Sequence, residues 1–463
     1  MKHKFFYGLF LALGILICLF PLLGLTVTGP APALGKERLA FSPKLKTETG
    51  GVNLQFLSDT CDYFRDHFSC RQELITLNAK LESDLLGDSA SEEVVLGKDG
   101  WLFLAETMDD YQGMNQLSDR QVWAAAHTLS LIQEHAQQTG IRFLFTVAPN
   151  KNSLYPQFMP NASLRADGPG NLDRLYAALN DQGVACLDLR SEFQSQNRIL
   201  YQRLDSHWSN LGAALACDRI LAAIGKESDA FYDPSRFIPV QNHQGDLYEM
   251  LYPTGTEKDI QYEPNPPLQF RYVRPIRSPE DLAIRTSCEG QEGSLLMFRD
   301  SFGNTLHSFM AESYEKAFFS RAMPYDLSLM NASQPDTLVI EIVQRHIPWL
   351  AQRAPKMYAP ERELQLPAEQ TDADADLSCV QDAHNDVLWC LSGTLNTPVD
   401  VDSPIYLLVN GTVYEASPVG ETEGAFTAYL SEKATQAEVL YVRNGILCRT
   451  TDMTCIEKGE TNR

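Results

Sequence analysis

The chain is 463 residues long, 44% hydrophobic, and carries a formal net charge of −22. That length accommodates two or three domains, and that apolar content builds a large core without metals or cross-links. The charge excludes sequence-independent binding to nucleic acid, which needs a basic face against the phosphates.

The chain begins "MKHK", and residues 5–28 then carry no charge. Such a run exceeds the ~20 residues that span a bilayer as a helix and the short apolar region of a secretory signal. Lys2 and Lys4 precede it, which places the N-terminus in the cytoplasm and the remainder outside. Pro21 is expected to kink the helix or end it early. "APA" at 31–33 offers a small-residue cleavage site, so residues 1–30 read as a transmembrane anchor or a signal. Either one puts the body of the protein outside the cytoplasmic membrane.

Residues 31–93 read as a polar linker followed by a helical entry segment over 51–85. "VVLGKDGWLFL" (94–104) has the pattern of strand, turn and strand. From 118 onward strands and helices alternate. A helix opens at the N-cap Ser118 and stops at Gly140, and "IRFLFTVAP" (141–149) is a buried strand. Helix 171–183, strand "VACLDLR" and helix 209–225 follow, the last capped by Ser209. "GSLLMF" (293–298) is a strand leading into a helix, and "AFFSRA" and "TLVIEIV" are further strands. This alternation predicts an α/β fold, a parallel sheet with helices on both faces, over 94–366. Ligands of such folds bind beyond the carboxyl ends of the strands.

Composition changes near 366, where an acidic, apolar-poor linker begins. Residues 377–463 then show short alternating strands, with Asn-Gly hairpin signals at 410–411 and 444–445. They read as a small β-sandwich. Trp389, Tyr406, Tyr414 and Tyr429 are candidates for stacking on sugar rings, or are core. Ten cysteines are present. Four lie in the last 85 residues, which predicts local disulfides in an oxidising compartment. Cys186 and Cys217 read as buried small hydrophobes. None shows CxxC or Cys/His zinc spacing, and neither a metal nor a cofactor is expected.

The chemistry concentrates at two junctions. Ser301, in "SLLMFRDSFGN", sits between the end of a buried strand and the start of a helix. Backbone N–H groups and the helix N-terminus there favour a developing oxyanion. Asp205 and His207, in "RLDSHWSNLGA", lie just ahead of the helix capped by Ser209. A serine nucleophile needs an imidazole base and an acid that orients it. Taken singly, each junction also reads as ordinary capping and packing.

The stretch 94–350 resembles the SGNH-hydrolase-like domain of the alginate O-acetylation proteins. The pieces that carry the resemblance are "GKDGWLFL", "FLFTVAPNKNSLYP", "LDSHWSNLGA", "GDLYEML", "FRDSFGN" and "PDTLVIEIVQR", in that order. "D-x-HW" followed by "RDSF" is the most specific pairing. The resemblance implies an SGNH-like three-layer sandwich, with Ser301 as nucleophile, His207 as base and Asp205 as orienter. It implies an acetyl group passing through Ser301 to a polysaccharide hydroxyl. Supporting candidates are Arg299, for the oxyanion or a sugar carboxylate, and Asn150 and Lys151 beyond a strand end. Gly245 is a further candidate through its N–H, as is Arg345 from the last strand. The C-terminal region does not match that family's carbohydrate-binding module. The net charge of −22 opposes an anionic polymer and favours a neutral glycan.

The leading expectation is therefore a membrane-anchored, extracytoplasmic polysaccharide O-acetyltransferase. A separate multi-pass membrane acyltransferase is its expected acetyl donor. An esterase acting on the same polymer and a non-catalytic polysaccharide-binding component are the competing readings.

Overall fold

A computed structural model describes residues 2–30, 39–47, 50–228, 230–364, 368–420 and 422–456. The expected cleavage site at 31–33 lies outside them. The chain divides into two compact units.

The first unit comprises residues 1–105, 203–206 and 241–259. Its helices are α1 (Lys2–Thr28), α2 (Phe56–His67) and α3 (Arg71–Leu86). α1 runs unbroken past position 21, so the expected interruption at Pro21 is not seen. Several side chains of α1 lie outside the described set, and among the described residues no helix is long and apolar enough to cross a membrane. The strands β1 (Val94–Leu96) and β2 (Leu102–Leu104) form the expected antiparallel hairpin. Ala79 of α3, Val94, Leu102 and Leu204 pack with Leu247 and Leu251 of α7 (Asp246–Leu251), a helix that follows the second unit's α4 to α6 in the chain.

The second unit comprises 106–202, 207–240 and 260–463. Its centre is a seven-stranded sheet. Four strands, β3 (Arg142–Ala148), β4 (Cys186–Leu187), β9 (Ser294–Phe298) and β11 (Thr337–Val343), are parallel to one another and to β10 (Lys316–Ser320). The order is β4-β3-β11-β9-β10-β8-β7. The far edge corrects the expectation of a parallel sheet, because β8 (Ala283–Ser287) runs antiparallel to β10, and β7 (Arg271–Tyr272) antiparallel to β8. These strands are short and polar, and β8 has an "AIRTS" pattern that carries little apolar signal. Two more strands, β5 (Phe237–His243) and β6 (Asp259–Pro264), precede them in the chain.

Side-chain alternation assigns the two faces of the sheet. Phe143, Phe145, Leu338 and Ile340 pack with α4 (Asp119–Gln138) and α5 (Asn171–Asp181). The alternate residues, including Val339 and Glu341, point to the opposite face. Helices α6 (Asn210–Ala223) and α8 (Gly303–Glu312) pack against each other, and α8 also touches β10 and β8. Ser118 caps α4 through a reciprocal capping box with Gln121, and Ser209 caps α6.

The C-terminal part is two β-sheets. Strands β13 (Ala375–Asp382), β14 (Asn385–Leu395) and β17 (Ala425–Leu430) make one. β12 (Glu369–Gln370), β15 (Ile405–Val409), β16 (Thr412–Ala416), β18 (Gln436–Arg443), β19 (Ile446–Arg449) and β20 (Met453–Thr454) make the other. Both Asn-Gly pairs sit at hairpin tips with positive φ at both residues, the conformation a two-residue hairpin turn demands. Tyr429 is buried, so it offers no ring to a sugar, whereas Trp389, Tyr406 and Tyr414 are half-buried.

Arg120 of α4 joins this part to the α/β core. It is 2% exposed, and its guanidinium donates to the carbonyls of Asp400 (3.2 Å), Val401 (3.0 Å), Ser403 (2.5 Å) and Glu423 (3.4 Å). Burial holds its pKa down at about 10. Arg362 ties Glu134 of α4 to Glu415 of β16, and His127 adds a 2.8 Å contact to Glu415.

The expected disulfides are absent among the nine described cysteines, all of which are thiols. For Cys379 and Cys390 the register gives the reason. Cys379 pairs with Leu391 and Cys390 with Val380, so the two thiols leave opposite faces of their hairpin. Cys217 is fully buried, as expected, and Cys186 is half-buried.

Candidate active site

Ser301 stands on the turn from β9 into α8, at the carboxyl edge of the sheet. Its hydroxyl lies 2.8 Å from His207 Nε2. Two residues 94 positions apart are thereby brought into direct hydrogen-bond contact. In this geometry Ser301 Oγ–H donates to a ring nitrogen that carries a lone pair, the pairing a nucleophile and its general base require.

Local structure explains why the pair meets. Tyr201 bridges to Trp208 in an antiparallel pairing, and the Gln202 N–H donates to the His207 carbonyl at 3.1 Å, which pins the base. Trp208 is 1% exposed, and its indole N–H donates to the Phe302 carbonyl at 3.1 Å. The rings of Trp208 and Phe302 meet edge to face at 4.9 Å. The His207 ring rests on Phe302 at 4.8 Å. The loop bearing His207 is thus fastened directly to the turn bearing Ser301. Gly303 is required there, because a Cβ at this position would come within 2.6 Å of the Arg299 side chain.

Asp300 fixes the turn from beneath. One carboxylate oxygen accepts the Phe302 N–H (2.8 Å), and the other accepts the Val343 N–H at the end of β11 (2.6 Å). Its own N–H donates to Glu341 at 3.2 Å. Burial pushes the Asp300 pKa up, but His346, Arg345 and the Phe302 N–H outweigh it and hold the carboxyl below its ordinary value. Glu341 is displaced the other way. Burial, reinforced by the negative charge of Asp300, raises its carboxyl well above the usual range. The Ser301 N–H has no acceptor among the described residues, which leaves it available to a developing oxyanion.

The remaining expected residues take other partners. Arg299 is 4% exposed and hydrogen-bonds Asn304 Oδ1 (2.7 Å) and the carbonyls of Pro279 (2.7 Å), Asp281 and Asp300. Its guanidinium is taken up by the fold, which corrects its reading as an oxyanion or sugar-carboxylate donor. Asn150 gives its N–H to Gln344 (3.0 Å) and its amide to Asp110 (3.1 Å), joining the ends of β3 and β11. Lys151 is buried. Arg345 reaches Glu106 at 3.0 Å.

Asp205 and Gly245 belong to the first unit. There Asp205 is buried, and its Oδ2 accepts from His243 Nε2 (2.9 Å) and the Asp246 N–H (3.1 Å). Burial alone would lower the His243 pKa, but the hydrogen bond and charge of Asp205 raise it. Gly245 packs its Cα against the Leu204 carbonyl, where a Cβ would come within 2.2 Å of the oxygen. Glycine there answers to close backbone approach.

Sequence reasoning passed over Glu341, His346, Glu106 and His243. Glu341 had a visible signal: it is the single charge in the apolar strand "TLVIEIV".

Comparison with known proteins follows the same outline. Residues 94–282 match the family of the SGNH hydrolase-like domain, acetyltransferase AlgX. The match includes Asp205 and His207 and ends before Ser301. A probable alginate O-acetylase AlgJ of Pseudomonas syringae pv. tomato is 27% identical over 216 residues, 44% of this chain and 52% of that protein. The AlgJ of Pseudomonas aeruginosa is 28% identical over 164 residues, 34% of this chain and 41% of that protein. The chain thus spans about half the length of the curated relatives it matches. Among solved structures, Bacillus cereus PatB1 with a sulfonyl adduct aligns at a TM-score of 0.44 and 12% identity, covering 56% of this chain and 97% of that one. The O-acetyltransferase domain of Pseudomonas putida AlgJ aligns at 0.36 and 18%, covering 55% and 92%. At such scores the superpositions carry no functional argument.

Proposed function

We propose that this protein is an extracytoplasmic O-acetyltransferase that moves an acetyl group from an acyl donor to a polysaccharide hydroxyl through acetyl-Ser301. The observation that carries the reading is the 2.8 Å contact between Ser301 Oγ and His207 Nε2 on a strand-to-helix turn.

In the first half-reaction Ser301 Oγ attacks the acetyl carbonyl while its proton passes to His207 Nε2. The tetrahedral oxyanion forms beside the free Ser301 N–H. Collapse breaks the bond to the donor oxygen, and His207 returns the proton to that leaving oxygen. In the second half-reaction His207 takes the proton of a sugar hydroxyl, whose oxygen attacks the acetyl-serine carbonyl. The ester bond to Ser301 breaks, and Ser301 recovers its proton from His207. Asp205, two positions before His207 in the sequence, is the acid assigned to orient the imidazole.

The donor is an acyl group delivered by a multi-pass membrane acyltransferase. α1 is the proposed anchor: it is 27 residues long and presents Phe6, Phe10, Leu11, Leu16 and Phe20 to its surroundings. The net charge favours a neutral glycan as acceptor. Ser301 is half-exposed, so water competes with the glycan for the acyl group, and an esterase is the second reading.

Turnover of p-nitrophenyl acetate by wild type, Ser301→Ala and His207→Ala tests the chemistry. We expect each substitution to lower kcat by about 10³-fold or more; turnover equal to wild type in Ser301→Ala refutes it. Adding a bare neutral oligosaccharide to the same assay separates transfer from hydrolysis, because only a transferase yields acetylated sugar.

A further inference from the structure

We propose that His346 is a positioning residue for the Ser301 turn, a fixed cation that keeps Asp300 ionised and in place. The inference rests on the serine-nucleophile reading above and adds a second histidine with a different task.

His346 follows the carboxyl end of β11, three residues beyond Val343. Its two ring nitrogens face two carboxylates on separate parts of the chain. Nδ1 lies 3.8 Å from Asp300 Oδ2, and Nε2 lies 3.8 Å from Glu106 Oε1. At this separation the contacts are ion pairs, longer than hydrogen bonds, and Nδ1 is buried with no closer partner. A neutral imidazole has one N–H and one lone pair, and its lone pair would then point at a carboxylate. Only the imidazolium suits both neighbours. The ring is clamped flat against Trp349 at 3.7 Å, with Arg353 on that indole at 4.3 Å, so it cannot turn away easily.

The charged groups facing His346 are Asp300 from the nucleophile turn, Glu106 from the segment before α4, and Arg345 on its own turn. Burial and Arg345 pull its pKa down, but the two carboxylates win and raise it. Behind Asp300 lies Glu341, which accepts the Asp300 N–H at 3.2 Å and whose carboxyl is raised by burial and by the Asp300 charge. Two buried carboxyls this close hold one proton between them more readily than none. The cation on the Asp300 side decides which of them is ionised. Asp300 must be the ionised one, because both of its oxygens accept backbone N–H groups that fix the turn. Loss of the imidazolium charge lets the shared proton move onto Asp300, and a protonated oxygen accepts less well from Phe302 or Val343.

The folded protein favours protonated His346, so the effect is complete below the unfolded histidine value and fades as pH rises through the raised folded value. Activity should therefore show an acid limb from His207 and an alkaline limb from His346.

The test is the pH dependence of p-nitrophenyl acetate turnover by the full-length protein in detergent, comparing wild type, His346→Gln and Glu106→Gln. We expect His346→Gln to lower kcat about 10-fold at neutral pH with KM within about twofold, and to abolish the alkaline limb. Glu106→Gln removes one of the two carboxylates from an exposed position and should move that limb down by about one pH unit. A purely structural role for Glu106 would not shift a titration. An alkaline limb unmoved in both variants, or absent from wild type, overturns the proposal. Ser301→Ala tests the underlying reading separately, because turnover retained there refutes the nucleophile whatever the limb does.

Discussion

Asp300→Asn is nearly isosteric, which makes it a sharp probe of the nucleophile turn. The carboxylate accepts two backbone N–H groups, from Phe302 at 2.8 Å and Val343 at 2.6 Å. Asparagine keeps one acceptor oxygen and places an NH2 against the other N–H. A hydrogen bond to a charged group contributes about 1.5–3 kcal/mol, and a buried N–H left without an acceptor costs about 1–3 kcal/mol. The two together predict a loss of about 3–5 kcal/mol of stability, measurable as a lower urea midpoint at unchanged slope. Whichever bond is kept, the turn loses either its tie to β11 or its bond to the Phe302 N–H. A displacement of about 1 Å at the reacting atoms lowers kcat about 10²-fold. The pH dependence has a definite sign. Asp300 is depressed in the folded state, so its contribution is present above the unfolded carboxylate value and is lost as pH falls through the depressed one. A variant destabilised by less than about 1 kcal/mol, with kcat within about threefold of wild type, would refute the reasoning.

Two further perturbations address the frame around the site. Arg120→Met removes a guanidinium that four carbonyls share, and should cost about 3–5 kcal/mol, with differential scanning calorimetry resolving the C-terminal β-sheets as a separate, earlier transition. A single unaltered transition would show that the clamp contributes little. A native disulfide contributes about 2–4 kcal/mol, so reduction with dithiothreitol should leave the melting temperature unchanged, and a fall of several degrees would reveal a cross-link.

Much of this architecture is legible in the sequence because its signals are local. Ser118 and Ser209 announce their helices as side-chain caps, and each Asn-Gly pair announces its hairpin through the left-handed backbone it tolerates. The Ser301–His207 pair is also readable, since Ser301 follows a buried strand and His207 stands just ahead of a serine-capped helix. What stayed hidden depends on partners distant in sequence. Strands β7 and β8 have too few apolar residues to be recognised alone, and only β10 makes β8 a strand. Local disulfides are expected among the last four cysteines, yet the hairpin register turns the thiols of Cys379 and Cys390 apart. Arg299 reads as a functional cation beside the nucleophile. Only the fold brings the carbonyls of Pro279 and Asp281 to its guanidinium. His346 carries no signal of its own in the sequence, because its partner Glu106 lies 240 positions earlier.

The indole bond from Trp208 to the Phe302 carbonyl has a consequence for how this site opens. It is a short rivet between two loops that otherwise belong to separate stretches of chain. Any fluctuation that carries His207 away must either break that bond or take the serine turn along. His207 and Ser301 therefore travel as one piece, and their spacing survives such motions. The Trp208 indole proton becomes a built-in gauge of this coupling. Its exchange with solvent should be slow and should quicken in step with loss of turnover when either loop is loosened.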